Sequence, residues 1–352
     1  MQKNNSNIEK LITPKELKNK LPISKKLEDK ILISRQTICN IISGKDPRIL
    51  VVCGPCSIHN IEEAIEYSNF FSQILPKIKN SIYLVMRVYF EKPRTTIGWK
   101  GLINDPDMNN SFNINKGLYL ARQLLIKLVK NDILLATEIL DPNTTPYITD
   151  LISWVAIGAR TVESQIHREI ASSLRIPVGF KNNTDGNIIS AINAIKSAAT
   201  HHSFISLDEE GKACIIRTLG NKNCHIILRG GLKPNYHEND VKKCEQYITK
   251  AKLSSKIMID CSHGNSNKDY KQQIKIINSI ISQISNGNKS IVGIMIESYI
   301  NEGNQIININ NNLNKIKYGV SITDGCINWE NTKIILYKIH NKLKKILPLR
   351  SL

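Results

Sequence analysis

The chain has 352 residues, 41% of them hydrophobic, enough for one large domain or two modest ones around a substantial core. Its net charge of +18 raises nucleic acid as a partner, but Lys, Asn and Ile are abundant almost everywhere and aromatic residues are only 6%. With no basic face interleaved with stacking platforms, we read the charge as composition and expect no nucleic-acid partner. No apolar run approaches the roughly 20 residues of a membrane span, the polar N-terminus is unlike a signal peptide, and eight cysteines lack framework spacing. These features predict no membrane partner and a cytoplasmic protein with reduced thiols.

In chain order, Thr13-Pro14-Lys15-Glu16 is a capping box with proline at the first helical position, which predicts a short helix to about residue 20. Residues 24–43 read as a second helix, closed by Gly44. Both belong to an N-terminal extension, residues 1–48, expected to make oligomer or regulatory contacts. A repeating unit then begins. Residues 49–53 form a short apolar run ending in Gly54-Pro55-Cys56-Ser57, followed by a helical pattern over 61–75. The next strand covers 82–88 and is stopped by Pro93, which lacks the N–H that a central ladder needs. A long loop leads to a helix over 118–131. Further strands are expected at 133–138, 154–158, 176–180, 225–228, 256–260 and 291–296. Helices should fill the intervals: one after Leu140-Asp141-Pro142, then 165–174, one after Thr184-Asp185-Gly186 to about 199, 241–251, one from Asp269, and a last one after Asp324.

Strands alternating with helices imply a parallel sheet, and eight such units predict an α/β fold of the (β/α)8 TIM-barrel type over residues 49–352. Residues 203–207 and 214–219 flank the polar turn Asp208-Glu209-Glu210-Gly211-Lys212 and read as an inserted β-hairpin, about 203–219.

The strand ends carry the functional signal. Cys56, Arg87, Glu138, Arg160, Lys181, Arg229, His263 and Glu297 each stand at or just past the C-terminal end of one predicted strand. In a barrel those eight positions converge on one mouth, where catalytic groups sit. A rim salt bridge explains any one of them, but not all eight together. Arg87, Lys92, Arg94 and Lys100 crowd the exit of the second strand, with Thr95 and Thr96 adding hydroxyls. Arginine forks suit phosphate or carboxylate oxygens, so the ligand should be strongly anionic rather than this being a solvated basic loop. Cys56, His263 and Glu297, with Asp324 as a fourth, offer a thiolate, an imidazole and carboxylates. That donor mix suits one divalent ion such as Mn, Fe, Co or Zn, although the long spacing says nothing by itself. His59 and His225 read as structural.

Seven motifs together resemble the type I 3-deoxy-D-arabino-heptulosonate 7-phosphate (DAHP) synthases, also called phospho-2-dehydro-3-deoxyheptonate aldolases. They are Gly54-Pro55-Cys56-Ser57, Lys92-Pro93-Arg94-Thr95-Thr96, Gly158-Ala159-Arg160-Thr161, Gly179-Phe180-Lys181-Asn182, Leu228-Arg229-Gly230-Gly231, Asp260-Cys261-Ser262-His263 and Ile296-Glu297-Ser298. The resemblance spans roughly residues 49–330. It implies condensation of phosphoenolpyruvate with erythrose 4-phosphate, the first step of the shikimate pathway to the aromatic amino acids. It further implies metal ligation by Cys56, His263, Glu297 and Asp324. Arg87, Lys92, Glu138, Arg160, Lys181 and Arg229 would surround phosphoenolpyruvate, and Arg94 and Thr95 would hold the phosphate of erythrose 4-phosphate. Lys181, His263 and Cys56 would be catalytic.

Leu140-Asp141-Pro142-Asn143 and residues 262–270 look closest to the tyrosine-sensitive isoform, so an aromatic amino acid effector, tyrosine first, and a homodimer or homotetramer are expected. Val162 stands where the family usually has threonine and Asn183 where it has glycine; neither change removes a charge or a ligand. The hairpin matches less well, and residues 306–316 are an Asn-rich insertion or drifted loop. The related synthase that makes 3-deoxy-octulosonate 8-phosphate is the nearest rival, but it carries a different sequence at Lys92-Pro93-Arg94-Thr95. A barrel that has lost catalysis is disfavoured because every matched ligand position is filled.

Overall fold

In the computed structural model, which describes residues 8–94, 98–307 and 316–350, helix α1 (Pro14–Lys20) starts at Thr13. The Thr13 hydroxyl accepts the Glu16 N–H at 3.2 Å and the Glu16 carboxylate accepts the Thr13 N–H at 2.9 Å, closing the capping box. Helix α2 (Lys25–Ser43) ends at Gly44, whose φ of +83° is the left-handed conformation that favours glycine.

The strands β1 (Ile49–Gly54), β2 (Ile82–Arg87), β3 (Leu135–Ile139), β4 (Trp154–Ile157), β5 (Val178–Lys181), β8 (Cys224–Leu228), β9 (Ile257–Asp260) and β10 (Ile291–Glu297) close into a barrel of order β1-β10-β9-β8-β5-β4-β3-β2. Every neighbouring pair is parallel, as short βα units require. Outside lie α3 (Ile61–Ile78), α4 (Ile114–Lys130), α5 (Thr145–Ile148), α6 (Gln165–Ser173), α7 (Ile189–Ala198), α8 (Glu238–Lys250), α9 (Gln273–Ser285) and α10 (Trp329–Leu343). Strands β6 (His202–Leu207) and β7 (Ala213–Thr218) pair antiparallel as a separate ribbon. β5 pairs directly with β8, so the hairpin is an insertion and not a stave.

Strand parity decides what faces where. In β1, Ile49, Val51 and Cys53 pack outward against the helix layer, whereas Leu50 and Val52 point into the barrel. The inner cluster continues with Val85, Ala136, Trp154, Ile227, Met258 and Met295. Counting on by two from these residues reaches Arg87, Glu138, Arg229, Asp260 and Glu297, so the same alternation that fills the core turns polar side chains into the upper lumen. Ile38, Ile41 and Ile42 of α2 join the inner cluster and close the lower end.

The extension is tied down by polar anchors. Arg35 donates to the Thr149 and Ile152 carbonyls, and buried Arg122 donates to the Leu21 and Tyr147 carbonyls and pairs with Asp150 at 2.8 Å. Tyr147 donates to the Ile12 carbonyl at 2.6 Å. Lys15 and Lys18 reach Glu210 and Glu209 at the hairpin turn, at 2.9 and 2.6 Å.

Three elements differ from the sequence reading. The helix after β3 is only Thr145–Ile148, with 3-10 turns on either side. Two prolines and three threonines in Pro142–Thr149 disfavour a longer one. Helix α3 runs through Pro76 to Ile78, and the last helix starts at Trp329, capped by Asn328 accepting from Asn331 N at 2.9 Å. Most of the Asn-rich segment, 308–315, lies outside the described residues.

Candidate active site

The upper mouth of the barrel holds a cavity of about 330 Å³. Of the eight strand-end residues, Glu138, Arg160, Lys181, Arg229, His263 and Glu297 line it, together with Lys92, Arg94 and Asp324. Cys56 and Arg87 are fully buried around its floor. Thr95 lies outside the described residues.

The acidic side of the floor gathers the candidate ligands. One donor atom each from Cys56, Glu297 and Asp324 lie within 4.8 Å of one another. The Cys56 thiol faces Asp324 Oδ2 at 3.6 Å and accepts from Lys92 Nζ at 3.0 Å. Burial pushes this thiol up to about 11, helped by Glu297 and Asp324 and opposed by Lys92. His263 Nε2 stands 3.9 Å from Glu297 Oε1, outside that triad but beside it. The backbone of His263 has φ +57°, an uncommon conformation for a side chain of its size that aims the ring inward.

Arg87 shows how the floor is braced. Its guanidinium donates to Glu297 Oε1 at 3.1 Å and to the Pro55 carbonyl at 3.3 Å. Although burial works against its charge, Tyr89, Glu297 and Cys56 raise its pKa, so it stays cationic. Asp260 is the second brace: its carboxylate is wholly buried and takes Lys181 Nζ at 3.1 Å, His263 Nδ1 at 3.1 Å and the Ser262 hydroxyl at 2.6 Å. Burial alone would favour its neutral form, but Lys181 and His263 hold it well below the usual carboxylate range. Assigned by these contacts, Nδ1 of His263 faces Asp260 and Ser262, leaving Nε2 toward Glu297.

Across the mouth the balance is cationic. Lys92, Arg94, Arg160, Lys181, Arg229 and Lys268 face only Glu138, Glu297 and Asp324 among the acidic groups lining the cavity. Arg229 has its pKa lowered by burial and, after the opposing pull of Asp260, by the like charge of Arg160. Two guanidiniums that repel each other in one cavity are relieved by an anion between them. Glycine provides the space for this packing. A Cβ on Gly158 would stand 2.4 Å from Glu138 Oε1, and one on Gly230, at φ +75°, would stand 2.3 Å from the Asn265 backbone nitrogen.

The sequence reading missed Asp260, Ser262, Lys268 and Tyr270. Asp260 was legible in principle: it is an acid ending an apolar strand, and its parity turns it inward. Lys268 was not, because it reaches the cavity through an irregular loop with φ +62°.

Fold and cavity together define a (β/α)8-barrel enzyme shaped for a small, multiply anionic substrate. The DAHP synthetase I family matches residues 20–337. The Tyr-sensitive phospho-2-dehydro-3-deoxyheptonate aldolase of Escherichia coli (strain K12) is 53% identical over 340 residues, covering 97% of this chain and 95% of that protein. The Phe-sensitive one of the same strain is 47% identical, covering 96% and 95%. A solved phospho-2-dehydro-3-deoxyheptonate aldolase from Francisella tularensis SCHU S4 superposes with a TM-score of 0.92 at 46% identity, covering 99% of each chain.

The chain belongs to the DAHP synthetase I family. Its reaction is the condensation of phosphoenolpyruvate with erythrose 4-phosphate that opens the shikimate pathway. Identity is higher to the Tyr-sensitive than to the Phe-sensitive relative, in line with the motif reading. No helix among the described residues is long and apolar enough to cross a membrane.

Proposed function

We propose that the chain runs this condensation with one divalent ion of the Mn, Fe, Co or Zn class, held by Cys56, His263, Glu297 and Asp324. The fit rests on a cluster of thiol and carboxylate donors within 4.8 Å, with an imidazole nitrogen beside it. When bound, the ion supplies Lewis acidity toward the aldehyde of erythrose 4-phosphate. The Cys56 proton must leave on loading, and Lys92, 3.0 Å away, favours the thiolate.

The remaining roles belong to the chain's own side chains. Arg160 and Arg229 hold the phosphate of phosphoenolpyruvate, while Arg87, Lys92 and Glu138 complete its surroundings. Arg94 and Thr95 receive the second phosphate. Lys181 sits between Asp260 and the cavity, placed to move a proton at the reacting carbon. Charge-assisted contacts of this kind are worth about 1.5–3 kcal/mol each, which favours a substrate pair carrying two phosphates and a carboxylate. The single observation that carries the reading is the meeting of Lys92, Arg160, Lys181, Arg229, His263 and Glu297 around one cavity.

An aromatic amino acid, tyrosine first, is the proposed effector, with the N-terminal extension and the hairpin as its region. Three relatives are named Tyr-, Phe- and Trp-sensitive, and here α1 binds the hairpin turn directly. Eight free thiols support the cytoplasm as the location, and a homodimer or homotetramer is the proposed assembly. The test is consumption of phosphoenolpyruvate with erythrose 4-phosphate, with and without chelator and each aromatic amino acid. Arabinose 5-phosphate serves as the alternative acceptor. Turnover that is indifferent to chelator after metal stripping ends the metal assignment, and preference for arabinose 5-phosphate ends the substrate assignment.

A further inference from the structure

Tyr89 follows Arg87 by two residues and so shares its inward face. The Arg87 guanidinium carbon lies 3.9 Å from the centre of its ring, and the ring packs into the inner-barrel cluster with Trp154, Ile227 and Met295. The residue is 1% exposed, and its hydroxyl is buried with no hydrogen-bond partner among the described residues. The charged groups that act on it come from four places: Arg87 on β2, Glu138 on β3, Asp260 on β9 and Lys92 in the loop above. Burial, reinforced by Glu138 and Asp260, raises the phenol's pKa, so it remains an O–H donor.

A buried hydroxyl without a partner is worse than the hydrogen that phenylalanine would place there. The ring alone would serve the packing and the stack on Arg87. Packing therefore does not account for the oxygen. The substrate anions already have Arg160, Arg229 and Lys181 above. The reaction needs one more reactant, a single water, delivered to carbon 2 of phosphoenolpyruvate out of reach of bulk solvent.

We infer that the Tyr89 hydroxyl holds this water at the floor of the cavity, beside Glu138, beneath the bound phosphoenolpyruvate. The inference rests on the proposed condensation. In that step carbon 3 of phosphoenolpyruvate bonds to the aldehyde carbon, and the aldehyde oxygen takes up a proton. The water oxygen bonds to carbon 2 and releases one proton. The bond from carbon 2 to the phosphate oxygen then breaks, phosphate leaving with the electron pair and the second water proton as the keto group forms.

The test is Tyr89→Phe beside the wild-type protein in the same assay. The measurements are kcat, KM for phosphoenolpyruvate and thermal midpoint, with a crystal structure of each protein bound to phosphoenolpyruvate. We expect kcat to fall by about tenfold to a hundredfold, the range for a misplaced reactant, with KM nearly unchanged. The thermal midpoint should be equal or higher, and an ordered water should lie within hydrogen-bond distance of the hydroxyl in the wild type alone. A merely structural phenol would alter the midpoint without lowering kcat, which would overturn the inference. A raised KM at constant kcat would do so too, by assigning the hydroxyl to substrate. Wild-type protein without condensing activity would overturn the functional reading itself.

Discussion

Glu91 lies one residue before Lys92, at the root of the loop that frames the cavity, and it is 5% exposed. Its carboxyl accepts the Thr144 hydroxyl at 3.1 Å. Burial, then the nearby Asp141, pushes its pKa up to about 8. The folded protein therefore keeps a proton that the unfolded chain releases near the ordinary carboxylate value of 4.5. Because the folded state binds more protons across this window, stability falls as pH rises from about 4.5 to about 8. Each unit of the window is worth about 1.4 kcal/mol, so the full decline is on the order of 4 kcal/mol. Glu91→Gln is neutral throughout and keeps an oxygen for Thr144. Urea unfolding at pH 5, 6.5 and 8 should show the variant nearly level with the wild type at the acid end, and more stable by several kcal/mol at the alkaline end. Parallel stability curves for the two proteins would refute the reasoning, since they would mean the folded state does not hold that proton.

Cys56→Ala should leave the thermal midpoint within a few degrees while abolishing retained metal, measured by elemental analysis after gel filtration, and turnover with it. Gly158→Ala puts a Cβ 2.4 Å from Glu138 Oε1, the movable end of a side chain. It should lower kcat/KM by about tenfold to a hundredfold with little loss of stability, read by kinetics beside calorimetry. Arg122→Met leaves Asp150 and the Leu21 and Tyr147 carbonyls without their donor. Breaking a buried pair costs about 3–5 kcal/mol, and we expect the lower end because the Asp150 side chain is 26% exposed. Denaturant unfolding and faster proteolysis before residue 25 would report it.

Short apolar runs bounded by Gly, Pro and Asp made the eight staves legible, because a strand buried on both sides has to be apolar throughout. The strand ends were legible for the same reason: Arg87, Lys181 and Glu297 interrupt that apolarity where the lumen opens. What was illegible depends on contacts between distant segments. Nothing near Asp260 in sequence announces that it will hold both Lys181 and His263. Nothing near Lys268 announces that a left-handed turn will carry it to the cavity. The helix after β3 shrank because local β-branched and proline content outweighed the alternation that called for it, and α3 ran past Pro76 because its Tyr67, Phe71 and Ile74 face pulled it onto the core.

Each stave of the barrel has neighbours on both sides, so the closed sheet offers no edge to another chain. The β6–β7 ribbon differs: each strand keeps one unpaired edge, and the facing pair Ile205 and Ile215 is 80% and 66% exposed. Among the described residues, a foreign strand has this one sheet to add to. The charges that discourage it, Glu209 and Glu210 in the turn, are the ones that Lys15 and Lys18 engage. Cutting away the first twenty residues would thus take α1 off the tip of the ribbon, and the cost would appear in solubility before it appeared in turnover.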